Sequence, residues 1–235
     1  VNVAEPVGAW PSGWASGWLS SSDYAKVEPM RASPRRFGRR LIQLLVGLVL
    51  YGVSMAMLVR SGLGVDPWDV FHQGLANHVP LSFGLVTIAV GALVLLLWIP
   101  LRQRPGLGTL LNVIVIGLAA DAGLALIPIA ESWLPGAALM LGGVVANGLA
   151  GALYVGARLG PGPRDGLWVA LTQRTGHSIR LVRTVLEVTV VAVGWLLGGV
   201  VGIGTVVYAL AIGPLVQLFM PWVEVRLDEP ERNDG

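Results

Sequence analysis

The chain contains no cysteine, which excludes disulfide bonds and thiolate metal sites. Its three histidines (His72, His78 and His177) are not spaced as metal ligands, so neither a metal nor another cofactor is expected. Charged residues are also scarce: they make up 13% of the 235 residues, whereas a soluble domain has about 25%. A net charge of +2 is too small to indicate a nucleic-acid partner. The sequence has no nucleophile beside a base and no phosphate-binding loop, so no catalytic residue is assigned and an enzyme is not expected.

Apolar residues, by contrast, make up 54% of the chain, and its mean hydropathy is +0.69. A helix needs about 20 apolar residues to cross a bilayer. Five charge-free runs are that long or nearly so: Leu41–Val59, Val79–Leu101, Pro105–Ala120, Ser132–Ala157 and Val188–Val223. The composition therefore predicts an all-α, polytopic membrane protein whose main partner is the lipid bilayer.

The membrane part of the chain is an internal repeat. Shifting the sequence by 96 positions aligns Leu41–Gly123 with Ala137–Phe219 without a gap, and 21 of the 83 pairs are identical. Composition alone gives about one identity in ten for a chain so rich in a few residue types. We therefore expect two membrane repeats, 41–128 and 129–222, between a basic N-terminal segment, 1–40, and an acidic tail, 223–235.

The repeat also predicts the number of membrane spans. The last apolar run has 36 residues, too many for one span and too few for two. Because Phe83–Leu101 aligns with Ile179–Leu197, a fifth helix is expected to begin near Ile179, and a glycine-rich turn at 198–204 leads into a sixth. The prediction is six spans, three in each repeat. An odd number of spans per repeat gives the two halves inverted topology.

Arginine placement predicts the orientation. Fifteen of the sixteen basic residues are arginine. If the N-terminus is cytoplasmic, Arg60 is the one arginine assigned to an outer loop, which is a strong positive-inside bias. Both termini are thus expected in the cytoplasm. Val1–Pro29 lacks periodicity and a signal peptide, so we expect it to be disordered, and translation is hypothesised to begin at Met30.

A motif follows the first span of each repeat. Leu63–Asp69 has the sequence LGVDPWD, and Leu159–Asp165 has LGPGPRD. In each copy a proline suits the first helical position and an aspartate falls at the third, where the helix dipole favours a negative charge. The motif predicts two short helices, Pro67–His78 and Pro163–Thr175, capped by Asp66 and Gly162. Its helix-start residues are Gly64, Pro67, Gly160, Pro163 and Arg164, and its acids are Asp69 and Asp165.

Two interpretations of the motif remain open. The aspartates either stabilise two helix starts and do nothing more, or the short helices are re-entrant and line a pathway at the interface of the repeats. Polar residues in the spans are further pathway candidates, because polar groups in lipid usually face a partner or a cavity. These candidates are Asp121, Asn112, Asn147, Tyr208 and Glu187. Glu187 is also placed to form an ion pair with Arg183, four residues earlier.

Glycine and proline in the spans suggest close packing or hinges. Gly117 and Gly213 are equivalent in the repeat, and Pro214 is expected to kink or break the sixth helix. These three residues are the candidate hinges. Gly194, Gly198 and Gly202 recur every four residues, which is typical of helix packing and is compatible with a homodimer.

Several segments resemble the YczE-like bacterial membrane proteins, which are related to the YitT group. They are Gly160–Leu167, Arg183–Glu187, Gly198–Thr205 and Ile212–Pro214, with Gly62–Gly64 and Pro67–Asp69 in the first repeat. The resemblance covers about Arg39 to Met220. It implies an integral protein of the bacterial plasma membrane, and it implies no catalytic residue.

Two functions of different classes fit these observations. The favoured hypothesis is a small secondary transporter or exporter of an unidentified small molecule or ion, with its route at the interface of the repeats. The alternative is a non-transporting membrane scaffold or regulatory protein that depends on its loops or its acidic tail.

Overall fold

The computed structural model describes residues 34–224, and this part of the chain consists of eight α-helices without a strand. The predictions for the N-terminal segment and for the tail beyond residue 224 lie outside the described residues. The helices are α1 (Pro34–Ser61), α2 (Pro67–Ala76), α3 (Phe83–Trp98), α4 (Leu107–Leu126), α5 (Trp133–Gly156), α6 (Pro163–Thr175), α7 (Ile179–Leu196) and α8 (Ile203–Val223). The all-α prediction is thus confirmed for residues 34–224.

Four of these helices, α1, α4, α5 and α8, are long and apolar enough to cross a membrane. Helix α3 is apolar but has only 16 residues. Helix α7 has 18 residues and carries Arg180, Arg183 and Glu187 in its first half. Length and composition thus identify four helices that can cross a membrane. The other two long helices, α3 and α7, occupy equivalent positions in the two repeats; α3 is shorter, and α7 carries three charged residues.

The short helices begin where the motif predicts. Pro67 and Pro163 occupy the first helical positions, and the backbone N–H of Asp69 donates to the Asp66 side chain over 2.7 Å. Gly162 is the N-cap residue of α6. Helix α2 ends at Ala76, two residues earlier than expected, because the backbone N–H of Asn77 closes its last turn. Helix α8 runs through Pro214 without a break, since neighbouring groups in a membrane bundle tolerate a proline.

Helices α1 and α5 form the centre of the bundle, with α4 packed on α1 and α8 packed on α5. Small residues allow this close packing: a Cβ added at Gly52 would overlap the backbone of α4, and one at Gly47 would lie 2.9 Å from the backbone nitrogen of Tyr154. Leu44, Leu48 and Met55 of α1 are fully buried at this centre. Such contacts, rather than the hydrophobic effect, hold helices together in lipid.

The two repeats interlock through matching contacts. The N–H of Gly108 donates to the Leu159 carbonyl over 2.9 Å, and the N–H of Gly204 donates to the Leu63 carbonyl over 2.8 Å. The two bonds are equivalent, because Gly204 lies 96 positions after Gly108 and Leu159 lies 96 positions after Leu63. Beside these bonds, Gly64 (φ +112°) and its equivalent glycine at position 160 (φ +127°) adopt backbone conformations that disfavour a side chain.

The beginning of α1 and the end of α8 lie at the same end of the bundle. The Gln43 amide donates to the carbonyls of Leu153 and Val223 over 3.0 and 2.8 Å. Arg40 donates to the Ala157 carbonyl over 2.8 Å at the end of α5. Gly194 packs against the backbone of α2, so the glycine at this position is used for packing within one chain.

Candidate functional site

A cavity of about 300 Å³ lies between the two repeats. Residues from all eight helices line it, and most of the apolar lining comes from α3, α4 and α8. This apolar wall consists of Val90, Val94, Val113, Ile116, Ile212 and Val216. Such a pocket, apolar with a few convergent polar groups, is the usual form of a small-molecule site.

The N-terminal ends of the two short helices meet at this cavity. Arg164, the second residue of α6, places its guanidinium nitrogens 3.7 Å from Asp66 Oδ2 and 3.8 Å from Asp69 Oδ1. The C-terminal ends diverge: Asn77 after α2 contacts the Gly198 carbonyl after α7 over 3.2 Å. After α3, the Gln103 amide donates to Gln173 of α6 over 3.3 Å. Both positive helix ends therefore point to the middle of the bundle.

Asp69 is the least satisfied carboxyl group of the site. It is fully buried, and its Oδ1 lies 3.1 Å from His72 Nδ1. Its Oδ2 is buried and has no hydrogen-bond partner. The hydroxyl of Thr87 in α3 lies 3.4 Å from the same histidine nitrogen. A buried carboxyl group with an open acceptor is costly as an anion, so burial favours its protonated form.

Asp165, the repeat equivalent of Asp69, has two hydrogen-bond donors. Its Oδ2 accepts hydrogen bonds from the Tyr154 hydroxyl and, over 3.2 Å, from the backbone N–H of Gly162. The two aspartates of the motif therefore share the third helical position but differ in their surroundings.

Both arginines of the cavity lie over tryptophan rings. The Arg164 guanidinium carbon is 5.1 Å from the centre of the Trp68 ring, and Arg183 is 4.7 Å from that of Trp168. Arg183 also donates to Glu187 over 2.8 Å, which confirms the predicted ion pair. The cavity thus carries two delocalised cations on aromatic faces.

A buried polar chain connects three of the spans. The Tyr208 hydroxyl of α8 donates to Asn147 Oδ1 over 2.9 Å, and the Asn147 amide donates to Ser54 of α1 over 2.8 Å. Because each of these groups has a partner, the chain stabilises the packing of α8 and α1 on α5.

The structure brings most of the predicted site residues together. Nine of them line the cavity: Asp165, Asn112, Asn147, Tyr208, Glu187, Pro67, Pro163, Arg164 and Gly213. Asp69 does not line the cavity, but its Oδ1 lies 3.8 Å from the guanidinium of Arg164, which does. Gly64 and Gly160 lie at the contacts between the repeats, and Pro214 does not line the cavity.

Asp121 lies away from the cavity. Its carboxylate accepts hydrogen bonds from the backbone N–H of Gly84, over 2.7 Å, and from the Ser82 hydroxyl. It therefore joins α4 to the beginning of α3. Gly117, one turn earlier in α4, packs directly on Gly84.

Sequence reasoning missed several residues of the site. Asp66 was expected only to cap a helix, and no place in the cavity was predicted for Trp68, Trp168 or Tyr154. The spacing of His72, three residues after Asp69, was a usable signal because it places both on one helix face. Among the described residues, no group of three or more histidine, aspartate or glutamate residues could hold a metal ion.

Comparison with known proteins identifies relatives over most of the chain. Residues 38–221 match the family described as "Family of unknown function (DUF6198)". A Haemophilus influenzae protein is 42% identical over 177 residues, which are 75% of this chain and 81% of the relative. The Bacillus subtilis "Uncharacterized membrane protein YczE" is 34% identical over 178 residues, covering 74% and 82% of the two chains. The resemblance to YczE-like proteins is thus confirmed, and no solved structure matches the chain.

Proposed function

The chain belongs to the DUF6198 family and is a membrane protein, and we propose that it is a small secondary transporter of the bacterial plasma membrane. In this proposal, six helices cross the bilayer as two inverted repeats of three, and both termini lie in the cytoplasm. The substrate is a small molecule or ion that binds in the cavity between the repeats. Residues of both short helices line its route.

The arrangement of the short helices supports this proposal. Transporters with inverted repeats bind their substrates near the middle of the bilayer, where the ends of discontinuous helices meet. Here the N-terminal ends of α2 and α6 meet at Arg164, and their other ends lie at opposite ends of the bundle. The interlocking bonds of Gly108 and Gly204, displaced by one repeat length, also fit two copies of one unit.

The observation that carries the proposal is a difference between two equivalent helix seams. In the first repeat, the seam between α3 and α4 is closed: Gly84 packs on Gly117, and Asp121 binds the beginning of α3. In the second repeat, α7 and α8 have no comparable packing over their described length. An added Cβ at Gly213, the equivalent of Gly117, would meet nothing within 4 Å.

A transporter with inverted repeats is expected to have this asymmetry, because each repeat closes one side of the site in turn. In the proposed topology, the closed seam faces the outside and the open seam faces the cytoplasm. The described state is then open to the cytoplasm. In the opposite state, α7 closes on α8 near Gly213, and Gln217 reaches the beginning of α7 as Asp121 reaches that of α3.

Cysteine labelling tests this proposal without knowledge of the substrate. The variant Gly213→Cys adds a thiol to open space at the cavity. In inside-out vesicles, a membrane-impermeant maleimide is expected to label it at least about tenfold faster than in right-side-out vesicles, since an open aqueous path lowers the barrier by about 1.4 kcal/mol or more.

Leu210→Cys serves as the matched control, because Leu210 is on the same helix but is 74% exposed on the outer surface of the bundle. This thiol faces lipid in the proposed topology and is expected to react slowly from both sides. Equal, slow labelling of Gly213→Cys and Leu210→Cys would contradict an open route and would favour the scaffold alternative.

A further inference from the structure

We propose that the cavity binds one monovalent organic cation in exchange for one proton held by Asp69. The inference rests on the proposed transport function and assigns its substrate class and its coupling ion. Asp69 lies just behind the cavity wall, close to His72 and Arg164, which line the cavity.

The charges around the cavity leave a deficit of about one positive unit. Four carboxyl groups lie at or directly behind its wall (Asp66, Asp69, Asp165 and Glu187), against two guanidinium groups (Arg164 and Arg183). The N-terminal ends of α2 and α6 each add about half a positive unit. An uncompensated charge is costly in such surroundings. One proton or one monovalent cation brings the net charge around the cavity to about zero. Both together would leave it positive.

Asp69 is the group that holds the proton. Asp66 accepts the capping N–H of residue 69, and the other two carboxyl groups have a hydroxyl or an arginine as donor. Asp69 Oδ2 is buried without any donor. Protonation therefore removes the charge that is least stabilised.

The groups that face Asp69 come from several elements. Its own helix supplies the His72 ring at 3.1 Å, the preceding cap supplies Asp66, and α6 supplies Arg164 at 3.8 Å. From α3, the Thr87 hydroxyl contacts the histidine, and α7 packs on α2 through Gly194. The phenol groups of Tyr51 and Tyr208 complete the titratable surroundings.

The lining favours an organic cation over an inorganic one. Two tryptophans and three tyrosines border the cavity, and both tryptophan rings already hold a guanidinium group. Aromatic faces attract delocalised or alkylated cations. A bare metal ion needs several oxygen ligands, whereas the opposite wall of this cavity is formed by valine and isoleucine side chains.

Exchange follows from repulsion between the two positive charges. A cation near Asp66 and Arg164 raises the cost of a further positive charge, so the proton on Asp69 dissociates to water as the cation binds. Return of a proton to Asp69 then weakens cation binding. Only a proton moves between the carboxyl group and water, so no covalent bond to the substrate and no oxidant is needed.

Binding of benzyltrimethylammonium to the purified full chain in lipid nanodiscs tests the inference. It is a small aromatic quaternary cation, and the measurement combines calorimetry with a pH indicator in weakly buffered solution. In the acidic range, where Asp69 is protonated before binding, we expect release of about one proton per bound cation. In the same range the affinity is expected to fall about tenfold for each unit by which the pH is lowered.

The isosteric variant Asp69→Asn has the charge of the protonated state, so it is expected to bind the probe as weakly as the unmodified chain does at acidic pH. It is expected to release no proton on binding and to show no pH dependence. Glu131→Gln, which removes a carboxyl group in an exposed loop, is the matched control and is expected to behave as the unmodified chain does. The pH dependence of the unmodified chain tests the exchange even if the Asp69 variant does not fold.

Three results would overturn the inference: no binding of the probe at millimolar concentration, equal binding of benzoate, or binding by the unmodified chain without proton release. Unchanged proton release in Asp69→Asn would overturn the assignment to this residue. None of these results alters the labelling of Gly213→Cys, so failure of this inference is distinguishable from failure of the transport proposal.

Discussion

At the scale of single residues, the two aspartates of the repeated motif show what sequence can and cannot predict. Their position, third in a short helix after a proline, follows from local rules and was predicted correctly. Their difference was not predictable, because the partners come from distant segments. Tyr154 of α5 donates a hydrogen bond to Asp165. Asp69 instead lies beside the His72 ring of its own helix and 3.8 Å from Arg164, which is far away in the sequence.

Asp121 illustrates the same limit. It is a charged residue in an apolar span, which favoured a functional role. The structure instead gives it the beginning of α3 as its partner, through Gly84 and Ser82. A backbone N–H is a partner that every residue type carries, so no sequence pattern distinguishes it.

The buried chain from Tyr208 to Ser54 provides a test at this scale. Tyr208→Phe removes the hydroxyl that donates to Asn147 and leaves the Asn147 oxygen without its donor. Because that oxygen is buried, we expect the variant to lose about 1 kcal/mol of stability, visible as a lower midpoint of thermal unfolding in detergent. Thr189→Val is the control, since the Thr189 hydroxyl bonds only to its own helix. Equal unfolding midpoints for both variants would contradict a stabilising role of the hydrogen bonds from Tyr208 to Ser54.

At the scale of helices, the sequence predicted starts better than ends or contacts. Ser82 and Ser178, which are equivalent in the repeat, cap α3 and α7, and both helices begin at the next residue. Such starts depend on neighbouring residues and are visible in sequence. A kink or a break was expected at Pro214. The helix does not break there, because its continuity depends on the surrounding bundle.

The closed seam between α3 and α4 provides the test at the scale of helices. A Cβ at Gly84 would overlap the Gly117 carbonyl, so Gly84→Ala is expected to push the two helices apart. In an Asn112→Cys background, this change should increase labelling of the cavity from outside by about tenfold or more. Asn112 lines the cavity.

Gly91→Ala is the matched control on the same helix. Its Cβ would lie 3.2 Å from a methyl group of Val113, which borders the cavity, so a shift of a few tenths of an ångström is enough to accommodate it. We expect little change in labelling from outside. If Gly84→Ala left the rate at the level of Gly91→Ala, the seam would not be the outer gate.

At the scale of the whole molecule, the 96-residue repeat predicted the two short helices and the beginning of α7, but not the hydrogen bonds that join the halves. It did not predict the difference between the two seams. A repeat describes what two halves share, whereas the packing of each seam depends on residues that differ between the halves, such as Asp121 and its equivalent Gln217. The cavity, open at one seam and closed at the other, is therefore a property of the structure and not of the repeat.

In the proposed topology the two repeats cross the membrane in opposite directions, and labelling at two equivalent positions tests this arrangement. Leu81 and His177 are 96 residues apart and both exposed, in the loops before α3 and α7. Because the chain has no native cysteine, Leu81→Cys and His177→Cys each carry a single reporter. We predict that a membrane-impermeant maleimide labels Leu81→Cys only from outside and His177→Cys only from the cytoplasmic side. Labelling of both from the same side would show parallel repeats and contradict the account.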